Sequence, residues 1–283
     1  ALEEGRAFVV RTDVRLLRAS GTDARRWLHD LITTDVEGLA PGSARRSLVL
    51  TPTGRIRADV HVCAEDDGGF VLAQQTDQVQ PIADVLAPYV LSSDVRLEPD
   101  PRVPIAVPGP AGAAPALGPG WSPSALGEGV DLLVAEGAVG AARDALRTAG
   151  RVEVSPGDVE RWRILRGRPR FPVDLEGDAL PAEGGLDGPE VIDTTKGCFL
   201  GQESVAKVRT LGHPPRVILA VAADAPVGVG EPVVAAGRRV GTVTSTAAQG
   251  RGSAALVRVR WEARDAPLAT GSGTPLRPRS RAG

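Results

Sequence analysis

The residue types best suited to chemistry crowd into one stretch, IDTTKGCFLGQESVAKVR, residues 192 to 209. It holds Cys198, one of two cysteines, together with Lys196 and Lys207, the only lysines in a chain with 33 Lys plus Arg. Gly201 to about Leu211 is predicted to be a helix, with Gln202, Glu203 and Ser204 in its first turn and Lys207 and Arg209 towards its end. Gly212 and Pro214-Pro215 stop it. Cys198 then lies just before a helix N-terminus with the cation Lys196 two residues upstream, and both features favour thiolate over thiol. Gly197 and Gly201 bracket the cysteine and allow backbone geometry that a side chain would block. The chemistry on offer is that of a nucleophilic or metal-ligating sulfur. The plainer alternative is a small buried hydrophobe beside Phe199 and Leu200, and the crowding of rare residue types argues against it.

Other sources of chemistry are thin. Cys63 sits in an alternating strand pattern, IRADVHVCAE, and reads as structural. His29, His61 and His213 show no metal-ligand spacing, so no metal site is expected. No G-x-S-x-G, G-x-x-x-x-G-K-[ST], H-E-x-x-H or strand-linked G-x-G-x-x-G is present. Without a C-x-x-C partner, one cysteine does not by itself hold an iron–sulfur cluster.

The elements that must position this stretch follow from pattern. At 283 residues the chain is long enough for two or three packed units. VRLLRAS (14–20) reads as a strand, followed by a helix from about 24 to 33 capped by Thr22 or Asp23, with Trp27, Leu28, Leu31 and Ile32 on its buried face. ARRSLVLTP, GRIRADVHVCAED and GFVLAQQT read as successive strands, and QVQPIADVLAPYVL as a helix. A Pro/Gly-rich insertion near 108–130 reads as surface loop. Ser155 is placed to cap a helix with Pro156 at its first position. The order of elements from 45 to 154 has a β-α-β-β-α-β, ferredoxin-like flavour. After Gly212, short β runs separated by Gly turns read as a small barrel or sandwich.

Composition excludes several partners. A net charge of −2 gives no global reason for nucleic acid or an anionic membrane. No apolar run approaches the roughly 20 residues of a membrane span. The N-terminus carries no secretory pattern and the cysteines form no disulfide framework, so a cytoplasmic location is expected.

KGCFLGQE matches the K-G-C-[FY]-x-G-Q-E signature of the YgfZ family, folate-binding proteins linked to iron–sulfur cluster assembly and repair. GTDARRWLHDLITTDVEGL, LTPTGRIRADV, LPAEGGL and the β-rich C-terminus resemble further segments of that family in the same order. One departure is Lys207, which stands where the family pattern leads one to expect arginine. The family is related to the glycine-cleavage aminomethyltransferases, so the resemblance implies an α+β fold built as a three-domain ring around a folate channel. Its expected parts are a split folate-binding α+β domain (1–46 and 155–212), a ferredoxin-like domain (47–154) and a C-terminal β-barrel (213–283).

The resemblance implies tetrahydrofolate or a derivative as cofactor. Cys198 and Lys196 become the expected catalytic pair, supported by Gly197, Phe199, Gly201, Gln202, Glu203 and Lys207, with Asp59, Arg166 and Glu183 as cofactor-binding residues. In the aminomethyltransferases two carboxylates hold the pterin. Asp59 fits the first place, but Arg166 stands at the second, and a guanidinium accepts no hydrogen bond. The expectation is a folate-binding accessory factor acting on iron–sulfur client or assembly proteins. The alternatives are a folate-dependent aminomethyl or methyl transferase and a non-catalytic folate-binding scaffold.

Overall fold

The computed structural model describes residues 1–109 and 118–280, so part of the Pro/Gly-rich insertion (110–117) lies outside the described residues. In chain order the first elements are β1 (Ala7–Val10), β2 (Val14–Ser20), α1 (Ala24–Leu31), β3 (Ala44–Leu50), β4 (Ile56–Ala64) and β5 (Phe70–Gln75). Next come α2 (Ile82–Leu86), β6 (Arg96–Pro99), β7 (Val103–Pro108), β8 (Gly120–Trp121), β9 (Gly129–Val134), α3 (Val139–Thr148) and β10 (Val152–Glu153). Then follow α4 (Pro156–Leu165) and α5 (Gln202–Leu211). The last strands are β11 (Arg216–Ala223), β12 (Pro232–Ala235), β13 (Arg238–Gln249), β14 (Gly252–Arg260), β15 (Leu268–Thr270) and β16 (Pro275–Pro278). The architecture is α+β. One sheet has the order β3-β4-β5-β2-β6 and another β10-β1-β7-β9-β8, while β11 to β16 close a barrel. The strands of 45–154 are thus shared between two sheets, each of which recruits a strand from the first 20 residues. No helix among the described residues is long and apolar enough to cross a membrane.

The chain forms two compact units. The first comprises 1–51, 57–159 and 188–200; the second comprises 52–56, 160–187 and 201–283.

In the first unit, α1 and α2 lie on one face of the β3-β4-β5-β2-β6 sheet. Trp27, Leu28 and Ile32 share a core with Ala58, Val60 and Val62 of β4 and with Ile82 and Val85 of α2. The two-residue period of β4 turns Asp59, His61 and Cys63 to the opposite face. Cys63 packs there among Leu16, Val71 and Trp121, and burial pushes its thiol pKa well up. This is the structural cysteine that the alternating pattern predicts. Trp27 is also core, its indole N–H donating to Tyr89 O at 2.8 Å.

The start of α1 differs from expectation. Asp23 precedes the helix but its side chain makes no capping bond. Its Oδ2 instead accepts the Asp94 N–H at 2.8 Å, while Asp94 Oδ2 accepts from the Thr22 N–H and hydroxyl. A loop 72 residues away has captured both candidate caps, which a local pattern cannot foresee.

In the second unit the barrel encloses Val233, Val243, Val257 and Leu276. Outside that apolar interior, Asp174 is fully buried, taking bonds from Arg163 (2.7 Å), Thr244 (2.6 Å) and Ser245 (2.6 Å). A buried carboxylate left without donors would be costly, and these three supply them.

Leu28 is fully buried between α1 and the sheet. Replacing it by Ala removes the branched end of the side chain, a methine and its methyl groups, from a packed seam, so Leu28→Ala is expected to lower unfolding free energy by roughly 2–5 kcal/mol. Urea denaturation checks this, with a midpoint shift at constant slope as the expected result.

Candidate functional site

The Lys196–Gly197–Cys198 turn is tied to the C-terminal end of α1. Lys196 Nζ donates to the carbonyl oxygens of His29, Ile32 (2.6 Å) and Thr34 (2.9 Å). The last carbonyls of a helix have no intrahelical partner and carry partial negative charge, so a cation there satisfies them doubly. The fit also explains the residue type: an ammonium has three donors to spread over three converging acceptors, whereas arginine offers a planar fork. A second bond closes the clasp, between His29 Nε2 and Lys196 O at 3.0 Å. On its far side, His29 Nδ1 lies 3.2 Å from Asp35 Oδ1. Burial lowers the Lys196 pKa to about 8, with Asp35, Asp30, Asp193 and Glu37 opposing the shift.

Thr33 and Thr34 continue the attachment, and both are fully buried. Thr33 Oγ1 donates to Val191 O at 2.8 Å and accepts the Leu48 N–H at 2.9 Å. Thr33 O accepts the Asp193 N–H at 3.0 Å, and Ser47 Oγ accepts the Thr34 N–H at 3.1 Å. Residues 191–196 are therefore stitched both to β3 and to the end of α1. Gly197 follows at φ +100°, where an L side chain is strained. Phe199 is buried, with the Lys196 ammonium 5.7 Å from its ring centroid. Cys198, between them, is exposed. The anchored turn thus presents a thiol to solvent, while the lysine expected to act on that thiol has all three N–H groups engaged by carbonyls.

Asp59 lies on the β4 face opposite the core. Arg46 of β3 grips its carboxylate side-on, Nε to Oδ1 at 3.0 Å and Nη2 to Oδ2 at 2.6 Å. Burial works against the Arg46 charge, but Asp59 and then Glu190 outweigh it and raise its pKa. His61, two residues along, is held neutral: burial and Arg46 bring its pKa to about 4 against the pull of Asp59, with Arg11 assisting. The backbone of Asp59 is clamped by Gln78, whose Oε1 accepts its N–H (3.0 Å) and whose Nε2 donates to its C=O (2.6 Å). Gln74 in turn donates to Gln78 Oε1 at 3.2 Å and accepts the Ile82 N–H at 2.8 Å. Both glutamines are buried. Sequence reasoning missed Arg46, His29, Gln74 and Gln78. A signal existed for the glutamines, since four of the chain's six lie in QQTDQVQ, 74–80.

The other expected site residues belong to the second unit. Gly201 takes the left-handed conformation before α5, at φ +86°. Gln202 and Glu203 open that helix, and Lys207 is exposed on it. Its first turn meets the Pro52–Gly54 turn: Ser204 Oγ donates to Pro52 O at 3.2 Å, and a Cβ on Gly54 would fall 2.6 Å from Ser204 Cβ. Glu183 is fully buried, its oxygens accepting the Leu180 N–H (3.2 Å) and Arg258 Nε (2.8 Å). Both are bonds within the protein. Arg166 lies 5.5 Å from the Trp162 ring centroid, and Arg168 5.0 Å from the same ring.

No protein-family model matches the chain. It is 24% identical to a putative chloroplastic transferase of Arabidopsis thaliana, over 87% of this chain and 62% of that protein. It is 28% identical to the mitochondrial iron–sulfur cluster assembly factor IBA57 homologue of Cryptococcus neoformans, over 73% of this chain and 63% of that protein. An uncharacterised protein of Haemophilus influenzae is 25% identical, over 84% and 83%. The chain thus spans less than two thirds of the Arabidopsis and Cryptococcus proteins. Among solved structures, glycine cleavage system aminomethyltransferase T from Bartonella henselae superposes with a TM-score of 0.83, at 20% identity, over 99% of this chain and 88% of that one. The fold is that of the aminomethyltransferases.

Removing the clasp leaves three carbonyls without their donor. Lys196→Met is expected to lower stability by about 1–3 kcal/mol, the usual penalty for stranding buried polar groups. Lys196→Arg is expected not to restore it. Chemical denaturation of the three proteins decides, and wild-type stability in the arginine variant would overturn the donor-geometry account.

Proposed function

We propose that this YgfZ-like chain, related to the aminomethyltransferases, is a folate-binding accessory factor for iron–sulfur cluster assembly or repair in which Cys198 is the working thiol. The observation that carries the reading is the contrast between the two cysteines. Cys63 is sealed in a core, whereas Cys198 is exposed on a turn anchored by Lys196, Thr33 and His29. A sulfur that must meet a partner's cluster or thiol needs access, and it needs a fixed backbone so that reactivity is not lost to disorder. The Cryptococcus relative, an iron–sulfur cluster assembly factor homologue, supports the same reading. Partners of this kind would be client or assembly proteins.

For folate, the fit rests on the donor set around Asp59. Its carboxylate already receives two parallel N–H bonds from the planar Arg46 group. The 2-amino-4-oxopyrimidine edge of a pterin presents the same pair of adjacent N–H donors. Asp59 is therefore chemically suited to hold the ring, on a strand fixed by Gln78.

The second reading, an aminomethyl transferase, draws on the fold and on the Arabidopsis relative, a putative transferase. It is the weaker one. General acid–base work at the reacting nitrogen needs a carboxylate free to take part. Asp59 is committed to Arg46, and Arg166 occupies the place of the second expected carboxylate.

Complementation tests the leading reading. In a strain lacking the chain, Cys198→Ala is expected to leave iron–sulfur enzyme activities at the deletion level, and Cys63→Ala to restore them. Full rescue by Cys198→Ala would remove the thiol from the mechanism. With aminomethylated lipoyl carrier and tetrahydrofolate, turnover is expected to be lower than that of an aminomethyltransferase by roughly 10²- to 10⁴-fold, the range for losing one acid or base. Turnover at ordinary enzyme rates, abolished by Asp59→Asn and untouched by Cys198→Ala, would establish the transferase instead.

A further inference from the structure

We infer that Arg46 is a built-in competitor for the Asp59 carboxylate, and that a pterin enters by displacing its guanidinium from the same two oxygens. The inference deepens the folate reading above and rests on it.

Arg46 approaches side-on, with Nε and Nη2 each facing one carboxylate oxygen at 3.0 and 2.6 Å. Those two N–H groups stand on either side of one planar carbon. A pterin offers N3–H and the 2-amino N–H on either side of its own planar C2, so the two edges are near-isosteres. Both ask for the same in-plane lone pairs, and a carboxylate holding one edge this way cannot hold the other.

Next comes mobility. Asp59 is held on its backbone, through the paired Gln78 amide bonds, and its side chain is 10% exposed. The Arg46 side chain is 27% exposed and has the longer, more flexible stem. Of the two partners, Arg46 is the one able to leave. The neighbouring charges fit this division. Glu190 acts electrostatically on Arg46 and so offers the displaced cation a second carboxylate in its neighbourhood. His61 is neutral and offers no competing positive charge at Asp59.

The consequence is a specificity filter. Apparent affinity equals intrinsic affinity reduced by the fraction of molecules whose carboxylate is open. A ligand with a single donor, or with an acceptor at C2, gains too little to displace a bidentate guanidinium. One with the full donor–donor edge exchanges like for like.

Calorimetric titration of 5-formyltetrahydrofolate into the full chain tests this, using wild type, Arg46→Leu, Arg46→Lys and Arg46→Leu/Asp59→Asn. Thermal midpoints confirm folding, and Arg46→Lys keeps the charge should the leucine variant be unstable. The p-aminobenzoylglutamate fragment, which lacks the pterin edge, is the control ligand. Removing a charge-assisted bidentate competitor is expected to tighten binding of the pterin-bearing ligand by roughly tenfold or more in Arg46→Leu, with a smaller gain in Arg46→Lys. The gain should vanish in the double variant, and the control should not tighten. Folate binding that is equal or weaker in both single variants than in wild type overturns the competitor while leaving the folate reading intact. No binding by any of the proteins overturns both.

Discussion

The site depends on one ammonium group. Lys196 gathers the carbonyls of His29, Ile32 and Thr34, so the end of α1 and the cysteine turn become a single piece of structure. Remove that cation and three acceptors at the negative end of a helix face a buried gap. Everything downstream on the turn, from the left-handed Gly197 to the exposed Cys198, inherits its position from this anchor. The attachment is also redundant in a useful way. Thr33 fixes the chain at Val191 and Asp193 before the lysine is reached, so the turn is held along its approach as well as at its apex.

A second constraint governs the other end of the candidate chemistry. A carboxylate beside buried strands needs donors, and here Arg46 supplies them. Burial, with Arg46 second, keeps His61 neutral against the pull of Asp59, and the Arg46 pairing leaves Asp59 poorly placed to act as a free base. Binding and base catalysis make opposite demands on Asp59. The geometry favours binding.

Much of this was legible in the sequence, but unevenly. Gly-separated β runs made the C-terminal strands legible as a barrel or sandwich, and strict alternation showed the faces of β4, because both signals are local. The capping of α4 was legible for the same reason: Ser155 Oγ accepts the Asp158 N–H and Asp158 Oδ2 accepts the Ser155 N–H, within four residues. Lysine scarcity drew the eye to Lys196, whose ammonium reaches three carbonyls. Its partners stayed invisible because they lie 162 to 167 residues away. Arg46 was hidden by abundance, one arginine among many, and only strand neighbours in space reveal that it faces Asp59. Thr22 and Asp23 misled because Asp94 outcompeted the helix for their polar groups.

These two constraints also bear on how the two candidate functions divide. A transferase must hold its folate and also move a proton at the reacting nitrogen, so it needs a carboxylate that is anchored yet uncommitted. An accessory factor needs the folate only as a bound partner and does its work at a thiol. In this chain the carboxylate is committed and the thiol is free: Asp59 is spanned by a guanidinium, while Cys198 is exposed on a turn anchored at Lys196. Evolution of one activity from the other on a shared fold requires no new architecture. It asks for an arginine opposite the strand carboxylate and a cysteine set on an anchored glycine turn. Each is a change in side chains carried by elements that the fold already holds in place.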